Sequence, residues 1–134
     1  MASEHLDPAA LCPPPDGIYN HVVKVRDMIF ISGQLARDRA GNAVSPGDVR
    51  GQYRQVWANL CAALEAAGAT PADLVKTTTY VVGAENLPAV REARRELGLD
   101  APPTSTMVVV AALADPRYLV EVDAIAVLGD APAG

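Results

Sequence analysis

Aromatic side chains are scarce in this sequence: one Trp, four Tyr and one Phe make up 4% of 134 residues. Cysteine is scarcer still, with Cys12 and Cys61 alone. Two cysteines cannot build a disulfide scaffold, and neither sits in a CxxC pair or near a pair of histidines. That excludes a structural zinc motif and points to a reduced, cytoplasmic protein. His5 and His21 stand far from other ligand types, and there is no Walker loop or GxGxxG, so neither a metal nor a cofactor is expected. No apolar run is long. Met107 to Ala114 is the longest at eight residues, against the roughly 20 that a bilayer span requires. Positive charge is in deficit: 11 Lys and Arg face 16 Asp and Glu, a net charge of −5. Such a surface repels phosphate, which argues against a nucleic-acid footprint. The opening MASEHLDPAALCPPPDG carries acids and prolines where a signal peptide needs a basic start and an apolar stretch.

What is present is the material of one folded unit. Half of the residues are hydrophobic, mostly Ala, Val and Leu, enough to bury a core but too few for two domains. Residues 1–16 are expected to form a loose leader, because Pro8, Pro13, Pro14 and Pro15 oppose regular pairing. Residues 17–130 are expected to form the single domain. His21–Val25 and Met28–Ser32 read as a hairpin around Arg26-Asp27. Ser45-Pro46-Gly47-Asp48 offers a helix start with Ser45 as N-cap. Val49, Tyr53, Val56, Trp57, Leu60, Leu64 and Ala67 then recur at steps of three and four, up to a stop at Gly68. Cys61 falls within this stretch and reads as a buried, inert thiol, whereas Cys12 reads as exposed. Thr70–Asp73 repeats the capping pattern for one turn. The β-branched run Val75–Val82 reads as a strand. Leu87, Val90, Ala93 and Leu97 mark a second helix that ends at Gly98. Thr106–Ala112 and Leu119–Leu128 complete the set as strands. The expected fold is therefore α+β: a mixed β-sheet with two helices on one face. Its other face holds apolar residues such as those of VVVAA, so a second copy of the sheet is expected to cover it.

Candidate chemistry lies at the strand ends. Alternation in LVEVDAIAV places Glu121, Asp123 and Ile125 on one face and Val120, Val122 and Ala124 on the other. A carboxylate among apolar neighbours has a raised pKa suited to proton transfer, though a solvated sheet face would carry the same pattern. Ser32-Gly33 ends a strand where a backbone amide can approach a small anion, or simply makes a turn. Ser105 and Thr106 are hydroxyl donors at the start of a strand. Tyr19 stands at the entrance of the first strand, either to present its hydroxyl or to pack its ring. Arg91, Arg94 and Arg95 form a basic stripe on the second helix.

Taken together, ISGQ, LEAAGAT, DLVKTTTYVV and EVDAIAV resemble the Rid/YjgF family of small imine and enamine deaminases, a family that also goes by endoribonuclease L-PSP and translation-inhibitor names. The resemblance runs from about residue 17 to 128. It implies a chorismate-mutase-like fold and a homotrimer with a central β-barrel. It also implies hydrolysis of a C=N bond of a small-molecule ligand in an inter-subunit cleft. Glu121 matches the family's water-activating glutamate, Tyr19 its cleft tyrosine, Ser32 and Gly33 its strand-end pair, and Arg91 a position that reaches a neighbour's cleft. Ser105, Thr106 and Met107 fall where the family binds substrate. There the sequence departs: Ser105 replaces the carboxylate-binding arginine and Met107 its neighbouring cysteine. Serine cannot make the two-pronged pairing of an arginine. At about 1.5–3 kcal/mol for a charged hydrogen bond, imino-acid affinity is expected to fall by about one to two orders of magnitude. The resemblance thus leaves a deaminase-like hydrolase, a trimer that binds a small metabolite or regulates a partner without catalysis, and, less favoured by the acidic charge, a ribonuclease.

Overall fold

The computed structural model describes residues 2–129. Strands β1 (Glu4–Leu6), β2 (Val22–Val25) and β3 (Met28–Leu35) precede helix α1 (Val49–Ala66). Strand β4 (Leu74–Val82), helix α2 (Leu87–Glu96), β5 (Thr104–Val110) and β6 (Val120–Val127) follow. The six strands form one sheet in the order β1-β2-β3-β6-β4-β5. Every pairing is antiparallel except β4 with β5. That exception follows from connectivity, since α2 is the crossover a parallel pair needs. The mixed sheet with two helices is the α+β architecture expected. None of the described helices is long and apolar enough to cross a membrane.

The 3.6-residue periodicity of α1 survives in full: Val49, Tyr53, Val56, Trp57, Leu60, Leu64 and Ala67 are all buried. They pack on β3 and β6 and against α2, whose buried residues are Val90 and Ala93. The sheet supplies the opposing surface from every second residue: Ile29 and Ile31 of β3, Thr77, Thr79 and Val81 of β4, and Val120, Val122, Ala124 and Ala126 of β6.

Four local expectations are revised. The α1 N-cap is Asp48 rather than Ser45, and its side chain accepts from the Gly51 amide. Ser45 and Gly47 have φ of 51° and 78°, left-handed values that interrupt a helix. Ser45 to Asp48 therefore close a turn (Asp48 N to Ser45 O, 3.0 Å) before the helix begins. Second, the segment expected to be loose is anchored at several of its described residues, from Glu4 to Cys12. Glu4–Leu6 pair with β2, and Leu11 is buried in the core. Asp7 accepts from the His21 amide and from Asn20 Nδ2, both at 2.8 Å. Buried His21 bridges Cys12 O (2.6 Å, to Nε2) and Gln34 Nε2 (3.2 Å, to Nδ1). The prolines shape this segment without freeing it, because its polar groups find partners on β2 and β3. Third, Cys61 lies at the edge of the α1 stripe and is only half-buried, and burial raises its thiol pKa. Fourth, Cys12 is half-buried rather than exposed.

Candidate functional site

Two buried amides of α1 set the stage for Glu121. Gln52 Nε2 donates to Arg117 O at 3.0 Å, and its Oε1 accepts from Leu119 N at 2.8 Å. This clamps the chain just before β6 and fixes the phase in which β6 enters the sheet. Asn59 Nδ2 donates to Leu35 O (2.9 Å) and Arg37 O (3.0 Å) at the end of β3. Leu35 is the β3 partner of Glu121, and Tyr80 its β4 partner. Neither Gln52 nor Asn59 stands out in the sequence, where each reads as an ordinary polar helix residue.

With that phase fixed, Val120, Val122 and Ala124 face the helices, while Glu121, Asp123 and Ile125 are half-buried on the opposite face. The β3–β6 register slips between Ile31 and Gln34, so that Ser32 and Gly33 together oppose Asp123. This β-bulge brings the Gly33 backbone against Glu121. A Cβ at Gly33 would lie 1.9 Å from Glu121 Oε1, so the carboxylate fills the space that only glycine leaves open. The Ser32 hydroxyl is committed to Asn20 O at 2.6 Å, and the Ser32 amide to His21 O at 2.9 Å.

The electrostatics follow from the crowding. Burial pushes the Glu121 carboxyl above its ordinary pKa, and the nearby Asp123 charge adds to the rise. Tyr80, which sequence reasoning missed, donates its hydroxyl to Asp123 Oδ2 at 2.8 Å. That bond raises the Tyr80 pKa, with burial and the two carboxylates adding to it. The signal for Tyr80 was available: alternation in β4 puts Thr78, Tyr80 and Val82 on the face opposite Thr77, Thr79 and Val81. Two carboxyls, a phenol and a bulged backbone thus converge, an arrangement able to hold and move a proton.

Of the other candidate residues, Tyr19 stays close to the bulge of its own chain, its ring edge-on to His21 at 6.0 Å and its neighbour Asn20 accepting the Ser32 hydroxyl; the rest are on α2 and β5. Tyr19 is partly exposed and accepts from Arg37 Nη2 at 3.0 Å. Arg91 is exposed on α2 and makes no ion pair among the described residues. Ser105 pairs with buried Thr77, which directs it to the helix side of the sheet, where Arg94 Nη1 donates to its Oγ at 2.6 Å. Thr106 pairs with Thr78 on the opposite face and is exposed. Met107 packs against the hydrophobic core. Among the described residues no group of His, Cys, Asp and Glu could hold a metal ion.

Comparison with known proteins places this geometry. The family model for endoribonuclease L-PSP matches residues 10–128. A RutC family protein of Pyrococcus horikoshii is 34% identical over 115 residues, 85% of this chain and 90% of the relative. The mouse 2-iminobutanoate/2-iminopropanoate deaminase is 35% identical over 118 residues, 87% of this chain and 86% of the relative. Among solved structures, the Rid family protein YyfA from Yersinia pestis superposes with a TM-score of 0.86 at 28% identity, covering 95% of this chain and all (100%) of that one. Escherichia coli TdcF with bound serine superposes at 0.84 with 27% identity, covering 94% of this chain and 99% of that one. In sequence and in fold, the chain belongs to the Rid/YjgF family, the endoribonuclease L-PSP family.

Proposed function

We propose that this chain, as a homotrimer, hydrolyses the C=N bond of a small imine or enamine in clefts between its subunits. The observation that carries the reading is Glu121: a half-buried carboxyl with a raised pKa, seated against Gly33 and beside Asp123. A carboxylate in that setting takes a proton from water as the water oxygen bonds to the imine carbon. The nitrogen takes up a proton, and the resulting carbinolamine collapses to a carbonyl compound with release of ammonia. The relatives named as deaminases support the substrate class. The sheet face that carries Glu121 supports the assembly. Met28, Phe30, Val108 and Val127 are each more than a third exposed, an apolar surface that a second copy would bury. The trimer would also bring Arg91 and the β5 residues Ser105, Thr106 and Met107 of a neighbour to the Ser32-Gly33 bulge, beside which Tyr19 of the same chain already stands.

The test couples an amino-acid oxidase to several amino acids and follows imine decay by semicarbazone trapping. Decay is expected to exceed the buffer rate and to fall at least tenfold in Glu121→Gln. Decay at the buffer rate for every substrate would overturn the hydrolase reading. The place of Ser105 favours a second reading, ligand binding without turnover, because the family's charged anchor is missing there. Thermal stabilisation by small metabolites without any decay would select it.

A further inference from the structure

The bulge that seats Glu121 hangs on one buried histidine. Ser32 opens the bulge, and all three of its polar groups are committed. Its amide donates to His21 O at 2.9 Å, its hydroxyl donates to Asn20 O at 2.6 Å, and its carbonyl accepts from Gln34 Nε2 at 3.0 Å. In a planar trans peptide the Gly33 N–H points away from the Ser32 carbonyl, so the Gln34 bond orients the whole Ser32–Gly33 peptide. Gly33 is the residue that leaves room for the Glu121 carboxylate. Gln34 and His21 are both buried, out of reach of ready replacement partners from solvent.

The hydrogen bonds of this pair leave no choice in where the protons sit. Ser32 O is a carbonyl and can only accept, so the Gln34 atom against it is the amide nitrogen. That nitrogen also meets His21 Nδ1 at 3.2 Å, so Nδ1 is unprotonated and accepts. On the far side of the ring Nε2 meets Cys12 O at 2.6 Å, so Nε2 carries the proton and donates. His21 is therefore neutral and in one tautomer, with both ring nitrogens used. A second proton would go on Nδ1, where it would face the N–H of Gln34. Turning the Gln34 amide over gives Nδ1–H an acceptor but sets Oε1 against Ser32 O, two acceptors with no proton between them. Either way one buried bond is lost, and a buried polar group without its partner is costly.

We infer that His21 is a positioning residue of the Glu121 site: singly protonated, it holds the Ser32–Gly33 peptide in place through Gln34, and a second proton, taken from solvent onto Nδ1, releases that peptide. The inference rests on the geometry of the bulge and not on the hydrolase reading. Several charged or titratable groups surround His21. The N-terminal segment brings Asp7, whose carboxylate accepts from the His21 amide, and the half-buried Cys12 thiol. Tyr19 sets its ring edge-on at 6.0 Å, and its hydroxyl accepts from Arg37 Nη2. Strand β3 brings the uncharged Gln34, and beyond the bulge β6 carries Glu121 and Asp123. His5, the other histidine of the chain, reaches Asn20 Oδ1 at 2.9 Å and is the competing source of a proton-linked change at Ser32.

The test follows the intact protein by NMR, without substrate, from about pH 8 to about pH 5, the range in which histidine changes charge. At the upper end the ring nitrogens of His21 are expected to show the Nε2–H tautomer. On acidification the Ser32 and Gly33 amide resonances should move with the same midpoint as the His21 ring. His21→Gln offers an oxygen to Gln34 and an N–H to Cys12 O without a titrating proton, so in that variant the movement of the two amides should vanish. His5→Gln should leave it in place. An Nδ1–H tautomer at the upper end, amides that stay still while His21 titrates, or a His21 that takes up no second proton in this range would overturn the inference. So would a movement that survives in His21→Gln or disappears in His5→Gln. The tautomer and the shared midpoint are read on the wild-type protein, so they decide the matter even where a variant fails to fold.

Discussion

The two faces of the sheet are made by the same strands and differ in almost everything else. In β6, Val120, Val122, Ala124 and Ala126 are buried beneath the helices, while the intervening Glu121, Asp123 and Ile125 are half-buried and Val127 is exposed. In β4, Thr77, Thr79 and Val81 face the core, whereas Thr78, Tyr80 and Val82 face away from it. In β4 and β6 the covered positions are apolar or small and carry no ionised group, while the opposite face carries two carboxyls, a phenol and exposed apolar residues. The comparison teaches a division of labour within single strands. Burial on one side supplies the stability that lets the other side hold an ionisable group in an unfavourable setting.

The sharpest break of the covered face is Leu60→Ala. Leu60 is fully buried in α1, and its truncation leaves a cavity that costs about 2–5 kcal/mol. Urea denaturation should show the midpoint fall with an unchanged slope. An effect below about 1 kcal/mol would mean that the helix stripe is not where stability resides.

Gly33→Ala probes the other face. The new Cβ would meet the Glu121 carboxylate, and overpacking of this kind costs about 1–3 kcal/mol. Combining it with Glu121→Ala should recover most of that loss, because the clash is with the carboxylate itself. A double-mutant cycle in denaturant measures the coupling. Strict additivity would show that Gly33 is needed for the bulge alone.

The smallest expected effect is the pH dependence of Glu121→Gln. The Glu121 pKa is raised in the folded state, first by burial and then by Asp123. Its contribution to stability is therefore complete below the unfolded carboxyl pKa and is lost as pH rises through the folded one. Replacing the charge should raise the thermal midpoint at neutral pH, and the gain should shrink toward zero on acidification below about 4.5. A gain that grows on acidification would reverse the sign of the argument.

Much of this was legible in the chain. The α1 stripe and the β6 alternation are local periodicities, and local sterics enforce them wherever a core exists. The motifs ISGQ and EVDAIAV led to the family and to Glu121, Ser32 and Gly33. What could not be read were contacts that close across the sequence. Asn59 and Gln52 act on chain 22 to 67 residues away. Tyr80 meets Asp123 over 43 residues. The anchoring of Asp7 and Cys12 depends on His21, Asn20 and Gln34, which the prolines alone do not reveal.

By itself, then, the sequence determined which residues alternate, where the helices lie and which carboxylate stands on the open face. Periodicity and capping are properties of neighbouring residues, so no partner is needed to express them. Only the tertiary structure decided that β3 bulges at Ser32-Gly33, that the bulge seats Glu121, and that Arg94 rather than Arg91 meets Ser105. Those outcomes depend on register between strands and on which turn of a helix crosses which strand. They are set by the shared packing of distant segments, which no local pattern encodes.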